Sequence, residues 1–243
     1  MDFSKVPIQP ASTVVCTRHD ENNGLEVLLL RRNRKLKFAS GFWVFPGGKI
    51  EQSDGIQGVI NTESAAAAAI REAEEEASLN LNDSELIHFM NWTTPTPSVK
   101  RFNTWFFICH LDADQSKVIV DDSEIKEYTW TSPKHAIDSL GYNDLKLLPP
   151  TFLTLVRIMN CNSFSEVKKE LTRTEPLDVV PRTGMINGVF QSMYEGDAGY
   201  ESHDVHKPGA RHRITGKMDE GSYNFEYEGC DHVFPVNGGY KWW

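Results

Sequence analysis

The stretch from Glu63 to Ala77 constrains this chain more than any other, because it is rich in Ala and Glu and free of Gly and Pro. That composition is the strongest helix signal in the sequence. At about 3.6 residues per turn, Glu72, Glu75 and Glu76 stand at i, i+3 and i+4 and share one face. Ala65 to Ala69 and Ile70 let the preceding turns lie close against a sheet. A Glu-rich helix face is ordinarily a solvated one. Here two costs argue against that reading. Unit charges about 4 Å apart repel by about 4 kcal/mol at an effective dielectric near 20, and Arg71 supplies a single counter-charge. The acids also occupy the C-terminal half of the helix, where the macrodipole disfavours negative charge. A local rule broken in one place points to function. Mg²⁺ or Mn²⁺, hard ions that prefer carboxylate oxygen, would offset both costs.

The segments around this helix predict a layered α/β domain. Two apolar runs, Thr13 to Thr17 and Leu25 to Leu30, flank the polar loop Arg18 to Gly24 and read as a hairpin. The basic stretch Arg31 to Lys37 follows, then a short aromatic strand, Phe42 to Phe45, that stops at Pro46-Gly47-Gly48. Further strands are expected at Leu86 to Trp92, Thr104 to Leu111 and Glu127 to Thr131, and helices at Pro133 to Ser139 and Pro150 to Met159. The alternation closes one domain over residues 1–175. Beyond Pro176 the texture turns Gly-rich and aromatic, with alternation in Asn187 to Met193 and Ser222 to Tyr227, so residues 176–243 read as a small β-rich extension.

Charge and cysteine usage narrow the function classes. The 34 Asp and Glu against 25 Lys and Arg give a net charge of −9, which argues against nucleic-acid or anionic-membrane partners. A phosphorylated small molecule stays open, because the basic residues are concentrated at 31–37. Four scattered cysteines predict no disulfide framework. With no secretory leader and no apolar run of membrane-spanning length, the expected location is cytoplasmic.

The helix and its approach resemble the Nudix box, whose pattern is Gly, five residues, Glu, seven residues, Arg-Glu, an apolar residue, any residue, Glu-Glu, any residue, Gly and an apolar residue. Glu63, seven intervening residues, Arg71-Glu72, Ala73, Glu74, Glu75-Glu76, Ala77 and Leu79 fit in order. Two positions depart. Residues 49–62 put fourteen residues between Gly48 and Glu63 where the pattern has five, and Ser78 stands in place of Gly. The extra length falls in a polar loop, where it costs little closure entropy. Asn80 is expected to supply the left-handed helix exit. Trp92-Thr93-Thr94-Pro95 and Arg101 to Phe107 resemble a subgroup that includes the peroxisomal coenzyme A diphosphatases.

The resemblance implies a Nudix α/β/α sandwich with a mixed sheet. It also implies a diphosphatase whose Mg²⁺ or Mn²⁺ is held by Glu72, Glu75 and Glu76, with the Gly48 carbonyl as a further ligand. Arg71 would orient the glutamates. Glu75 is the first choice for deprotonating the attacking water, with Glu124 as the alternative, while Glu51 and Glu63 are expected in structural or supporting roles. The segment Leu28 to Gly48 keeps the spacing of the motif of coenzyme A-cleaving members, with Leu30, Asn33 and Lys37 departing from it. Arg31, Arg32, Arg34 and Lys37 could grip the extra phosphate that coenzyme A carries. The competing readings are an ADP-ribose, dinucleotide or nucleotide-sugar diphosphatase, and a nucleotide-sensing module without catalysis. Trp43, Trp92 and Phe102 read as core. His203, His206, Cys230 and His232 fit no compact zinc spacing. The aromatics Phe190, Tyr194, Tyr223, Phe225, Tyr227, Trp242 and Trp243 need a surface to pack on, so the extension is expected at the active-site rim or in a homodimer interface.

Overall fold

A hairpin organises the fold: β1 (Ile8–Asp20) and β2 (Gly24–Arg32) pair antiparallel from Thr17↔Val27 to Asp20↔Gly24. At its tip the Asp20 carboxylate accepts from the Asn22 and Asn23 amides, each at 2.9 Å. Gly24 turns the chain at φ +72°, a conformation that costs a residue without Cβ little. Both strands are apolar on both faces, as strands covered on two sides must be. Val14, Cys16, Leu28 and Leu30 enter one core, and Val15, Leu25, Val27 and Leu29 the other.

The computed structural model describes residues 3–36, 39–55, 58–120, 122–140 and 145–230. After the hairpin come β3 (Trp43–Val44), β4 (Gly47–Lys49), α1 (Thr62–Ala77), β5 (Ile87–Thr93), β6 (Arg101–His110) and β7 (Ile125–Thr131). They are followed by α2 (Pro133–Asp138), α3 (Pro149–Ile158), α4 (Phe164–Leu171) and β8 (Leu177–Val179). The large sheet runs β3-β2-β1-β6-β5-β8, with β4 on β1 and β7 on β2. It is mixed: β6 lies parallel to β1 from Ile8↔Arg101 to Thr17↔His110, and β8 lies parallel to β5, while β2, β3, β4, β5 and β7 pair antiparallel. The alanines of α1 fill the core on one face, and residues of α2, α3 and α4 fill the core on the other. The result is the α/β/α sandwich with a mixed sheet expected from the sequence.

A second, antiparallel sheet follows, made of β9 (Arg182–Ile186), β10 (Val189–Met193), β11 (Arg211–Lys217) and β12 (Ser222–Glu228) in the order β12-β11-β10-β9. Tyr194, Ile214, Tyr223 and Phe225 share one hydrophobic cluster with Trp92 and Phe152 of the first sheet's layer. The ring centroids of Trp92 and Tyr194 are 5.8 Å apart, and those of Phe152 and Tyr223 are 5.6 Å apart. Burying such a ring contributes roughly 1.5–3 kcal/mol each. Leu177–Val179, just past the compositional break at 175/176, pairs with β5 of the large sheet. Trp242 and Trp243 lie outside the described residues.

Candidate active site

Capping and close packing fix α1 in place. The Asn61 carboxamide oxygen accepts from the Ser64 amide at 2.9 Å, and the Ser64 hydroxyl accepts from the Asn61 amide at 2.9 Å. Such reciprocal caps contribute about 1 kcal/mol. Ala65, Ala66, Ala68, Ala69, Ala73 and Ala77 are all buried, so the helix backbone lies close to the sheet. At the other end the sequence expectation is corrected: Ser78 itself, with φ +55° and ψ +34°, takes the left-handed exit. Its amide donates to Glu74 O at 2.9 Å and the Leu79 amide to Ala73 O at 3.2 Å. That pairing requires the left-handed residue directly after the last turn, so Asn80 comes too late in the chain to serve. The Ser78 hydroxyl adds a bond to Ile119 O at 3.1 Å.

The glycine pair brings a strand end against the glutamate face. Gly48 pairs with Ser12 across β4 and β1, and Pro46 O accepts from the Val14 amide at 3.0 Å and the Thr13 hydroxyl at 2.7 Å. A methyl group on Gly47 would collide with the Ser12 and Thr13 backbone, and one on Gly48 with the Glu72 carboxylate. Glu76 is buried beside them and accepts from the Gly47 amide at 3.0 Å, with Arg32 Nη1 at 3.9 Å. Burial pushes the Glu76 carboxyl up to about 8, against the pull of the Gly47 amide, and the charges of Glu72 and Glu124 push the same way.

Arg71 is the hub of the face. Its Nε and Nη2 clasp Asp54 at 2.9 and 3.0 Å, its Nη1 donates to Glu72 at 2.9 Å and Glu75 at 3.1 Å, and its Nη2 also reaches Lys49 O at 3.0 Å. The Arg71 hydrogen bonds, Asp54's above all, hold its guanidinium firmly protonated. Arg71 also lowers Asp54. Burial raises Glu72, with Arg71 opposing. Asp54 escaped the sequence reading, because the segment holding it counts there only as added loop length. Its carboxylate also accepts from the Glu51 amide at 2.7 Å, so the inserted loop is tied into the site.

The donor set suits a hard divalent cation. Three carboxylates on one helix face meet a glycine strand end that comes too close to Glu72 to leave room for a Cβ on Gly48, and the buried Glu76 has only partial compensation for its charge. The three carboxylates take different directions on that face. Among the described residues no three His, Cys, Asp or Glu side chains are gathered as one ligating group. Arg71 draws Glu72 and Glu75 towards itself, and the Gly47 amide holds Glu76. The Glu75 side chain, 59% exposed, is the most open of the three.

The basic residues divide. Arg32 faces α1, reaching Glu76 and, at 3.5 Å, Glu124. Arg31, its strand neighbour, points to the other face, over the Trp43 ring at 5.8 Å and onto Glu127 at 3.1 Å. Arg34 is exposed in the turn that follows, and Lys37 lies outside the described residues. Glu124 stands close enough to Glu72 and Glu76 for its charge to act on both. Glu51 caps a short turn with Asp54, and Glu63 accepts from the Asn61 carboxamide at 2.7 Å.

Residues 8–149 match the NUDIX domain. The chain is 27% identical over 209 residues to a putative nudix hydrolase 7 of Caenorhabditis elegans, covering 69% of this chain and 68% of that protein. It is 38% identical over 92 residues to the peroxisomal coenzyme A diphosphatase ndx-8 of Caenorhabditis elegans, covering 36% of each. Against that second relative, the match spans about a third of its length. A NUDIX hydrolase from Alicyclobacillus acidocaldarius superposes with a TM-score of 0.61 at 20% identity, covering 71% of this chain and 98% of that one. At that identity the likeness speaks for the fold.

Proposed function

The chain belongs to the Nudix family and is a hydrolase of diphosphate bonds, and from that premise we propose that it cleaves the diphosphate of coenzyme A or an acyl-coenzyme A with a divalent metal. The observation that carries this reading is the contact of the Gly47-Gly48 strand end with Glu72 and Glu76, beside the Arg71 hub. In it Glu72, Glu75, Glu76 and the Gly48 carbonyl would hold Mg²⁺ or Mn²⁺. When bound, such an ion supplies polarisation of a phosphoryl oxygen and a lowered pKa for water.

The protein's own contribution is positioning. Arg71 keeps Glu72 and Glu75 on one side through charge-assisted bonds. Glu75, the most exposed of the three, takes the water's proton, and Glu124 is the second candidate because Arg32 ties it to the same face. Arg32 is the first candidate to meet the diphosphate, with Arg34 and Lys37 proposed for the further phosphate, whereas Arg31 is turned away onto Trp43 and Glu127. Support for coenzyme A comes from the spacing of Leu28 to Gly48 and from the likeness to a coenzyme A diphosphatase over 92 residues. Residues 176–243 are proposed as an extension on the domain of residues 1–175, forming the site's rim or a homodimer contact. The four cysteines are free, as in a reducing compartment, and a cytoplasmic location is part of the proposal. Among the described residues no helix is long and apolar enough to cross a membrane.

The experiment compares kcat/KM for coenzyme A, 3′-dephospho-coenzyme A, ADP-ribose and a dinucleotide with Mg²⁺ and Mn²⁺. Coenzyme A is expected to be cleaved best, and its preference over the dephospho form to shrink in Arg34→Ala and Lys37→Ala. Cleavage of ADP-ribose or the dinucleotide without coenzyme A would refute the substrate. Binding without turnover of any of them would instead favour the sensing module.

A further inference from the structure

On the face of the large sheet opposite α1, the end of α3 and the body of α4 enclose a pocket of about 310 Å³ lined by Arg157, Glu166, Lys169, Glu170 and Arg173. Arg157 is only 5% exposed, and its Nε, Nη1 and Nη2 find no hydrogen-bond partner among the described residues. Glu170, 7% exposed, accepts from Arg173 Nη1 at 3.1 Å through Oε2 and leaves Oε1 without a partner. Unpartnered buried charges are costly, and a direct Arg157–Glu170 pair would have met both needs. Instead both groups line the same pocket, with the three Arg157 nitrogens and Glu170 Oε1 unused. Burial pulls the Arg157 guanidinium down to about 10, with Glu170 offsetting only part of that.

These groups specify the chemistry of what would fill the space. A guanidinium offers donors in a planar fork that matches an oxyanion, and a carboxylate oxygen accepts only. Three cations, Arg157, Lys169 and Arg173, stand against two carboxylates, and Glu166 is already engaged by the Asn162 amide at 2.7 Å. The charge balance favours a monoanion. We propose that this pocket binds a small protonated oxyanion, dihydrogenphosphate (H2PO4−) in the simplest case, with phosphate oxygens on Arg157 and a P–OH donated to Glu170 Oε1. The site is separated from the glutamate helix by the sheet and is independent of the activity proposed above.

Titration calorimetry on the full chain, without divalent cations and near neutral pH, tests this with inorganic phosphate and with sulfate. Phosphate is expected to bind in the millimolar range or better. Sulfate carries no proton at that pH and should bind more than about tenfold more weakly, because it leaves Glu170 facing an acceptor. Arg157→Met should abolish binding. Glu170→Gln, close to isosteric, replaces the acceptor with a donor and should narrow the phosphate preference, which keeps the test valid if Arg157→Met does not fold. Absence of phosphate binding by the wild type, unchanged binding in Arg157→Met, or equal affinity for sulfate and phosphate would each overturn the proposal.

Discussion

Replacing Arg213 by Met probes whether the second sheet is integral to the molecule's stability. Arg213 and Asp197 form a pair whose side chains are 2% and 0% exposed, with Nε–Oδ2 at 2.8 Å and Nη2–Oδ1 at 2.7 Å. Arg213 Nη1 also donates to Val205 O at 2.9 Å. Removing the guanidinium strands the Asp197 carboxylate, which keeps only the Gly199 and His212 amides at 2.9 and 3.0 Å. Breaking a buried pair from one side costs about 3–5 kcal/mol. For a chain of this size that lowers Tm by roughly 6–20 °C. Combining Arg213→Met with Asp197→Leu should recover about half of the loss, since the stranded charge disappears but two amides are left unpaired. Because Tyr194, Ile214 and Phe225 share a cluster with Phe152, the transition should remain single by calorimetry and by circular dichroism. The pair also fixes the acid limb. Burial opposes ionisation of Asp197, yet Arg213 and the two amides hold its carboxyl below the usual range. Its stability contribution is therefore present above the unfolded value of about 3.9 and is lost as pH falls towards the folded one. Arg213→Met should show a shallower loss of stability in acid. A cost under about 1 kcal/mol, strict additivity in the double variant, or a separate early transition would refute the reasoning.

Three further outcomes are expected. Glu75→Gln and Glu76→Gln should each lower kcat by orders of magnitude with the circular dichroism spectrum retained, and near-normal turnover in both would remove these residues from the site. Ser78→Gly should change stability by less than about 1 kcal/mol, because relief at φ +55° is set against loss of the bond to Ile119 O, and denaturant titration measures the balance. Truncation after residue 175 should give aggregation or inactive protein, since Trp92 and Phe152 lose the rings they pack against. A soluble, fully active truncated monomer by size-exclusion chromatography would contradict that.

What could be read from the sequence follows from what each element's pattern depends on. α1 was legible within a residue, because composition and the i, i+3, i+4 acids are local properties of Glu63 to Ala77. The hairpin was legible in type but short in extent, since β1 begins at Ile8, where pairing with Arg101 of β6 makes the strand. α4 was missed although Ser163 and Glu166 carry an N-terminal signature, with the Ser163 hydroxyl accepting from the Glu166 amide at 3.3 Å. Arg211 to Lys217 reads as polar, and it becomes a core strand only because Asp197, sixteen residues before Arg213, neutralises the arginine. Asp54 shows the same dependence in the candidate site. Its role lies in a contact with Arg71 across seventeen residues, and a loop acid carries no periodicity to announce it. The polar residues that hold this molecule together are thus legible only with their partners in view. Spacing along the helix foretold a shared acidic face, whereas the directions in which Arg71 and the Gly47 amide turn those carboxylates required the fold.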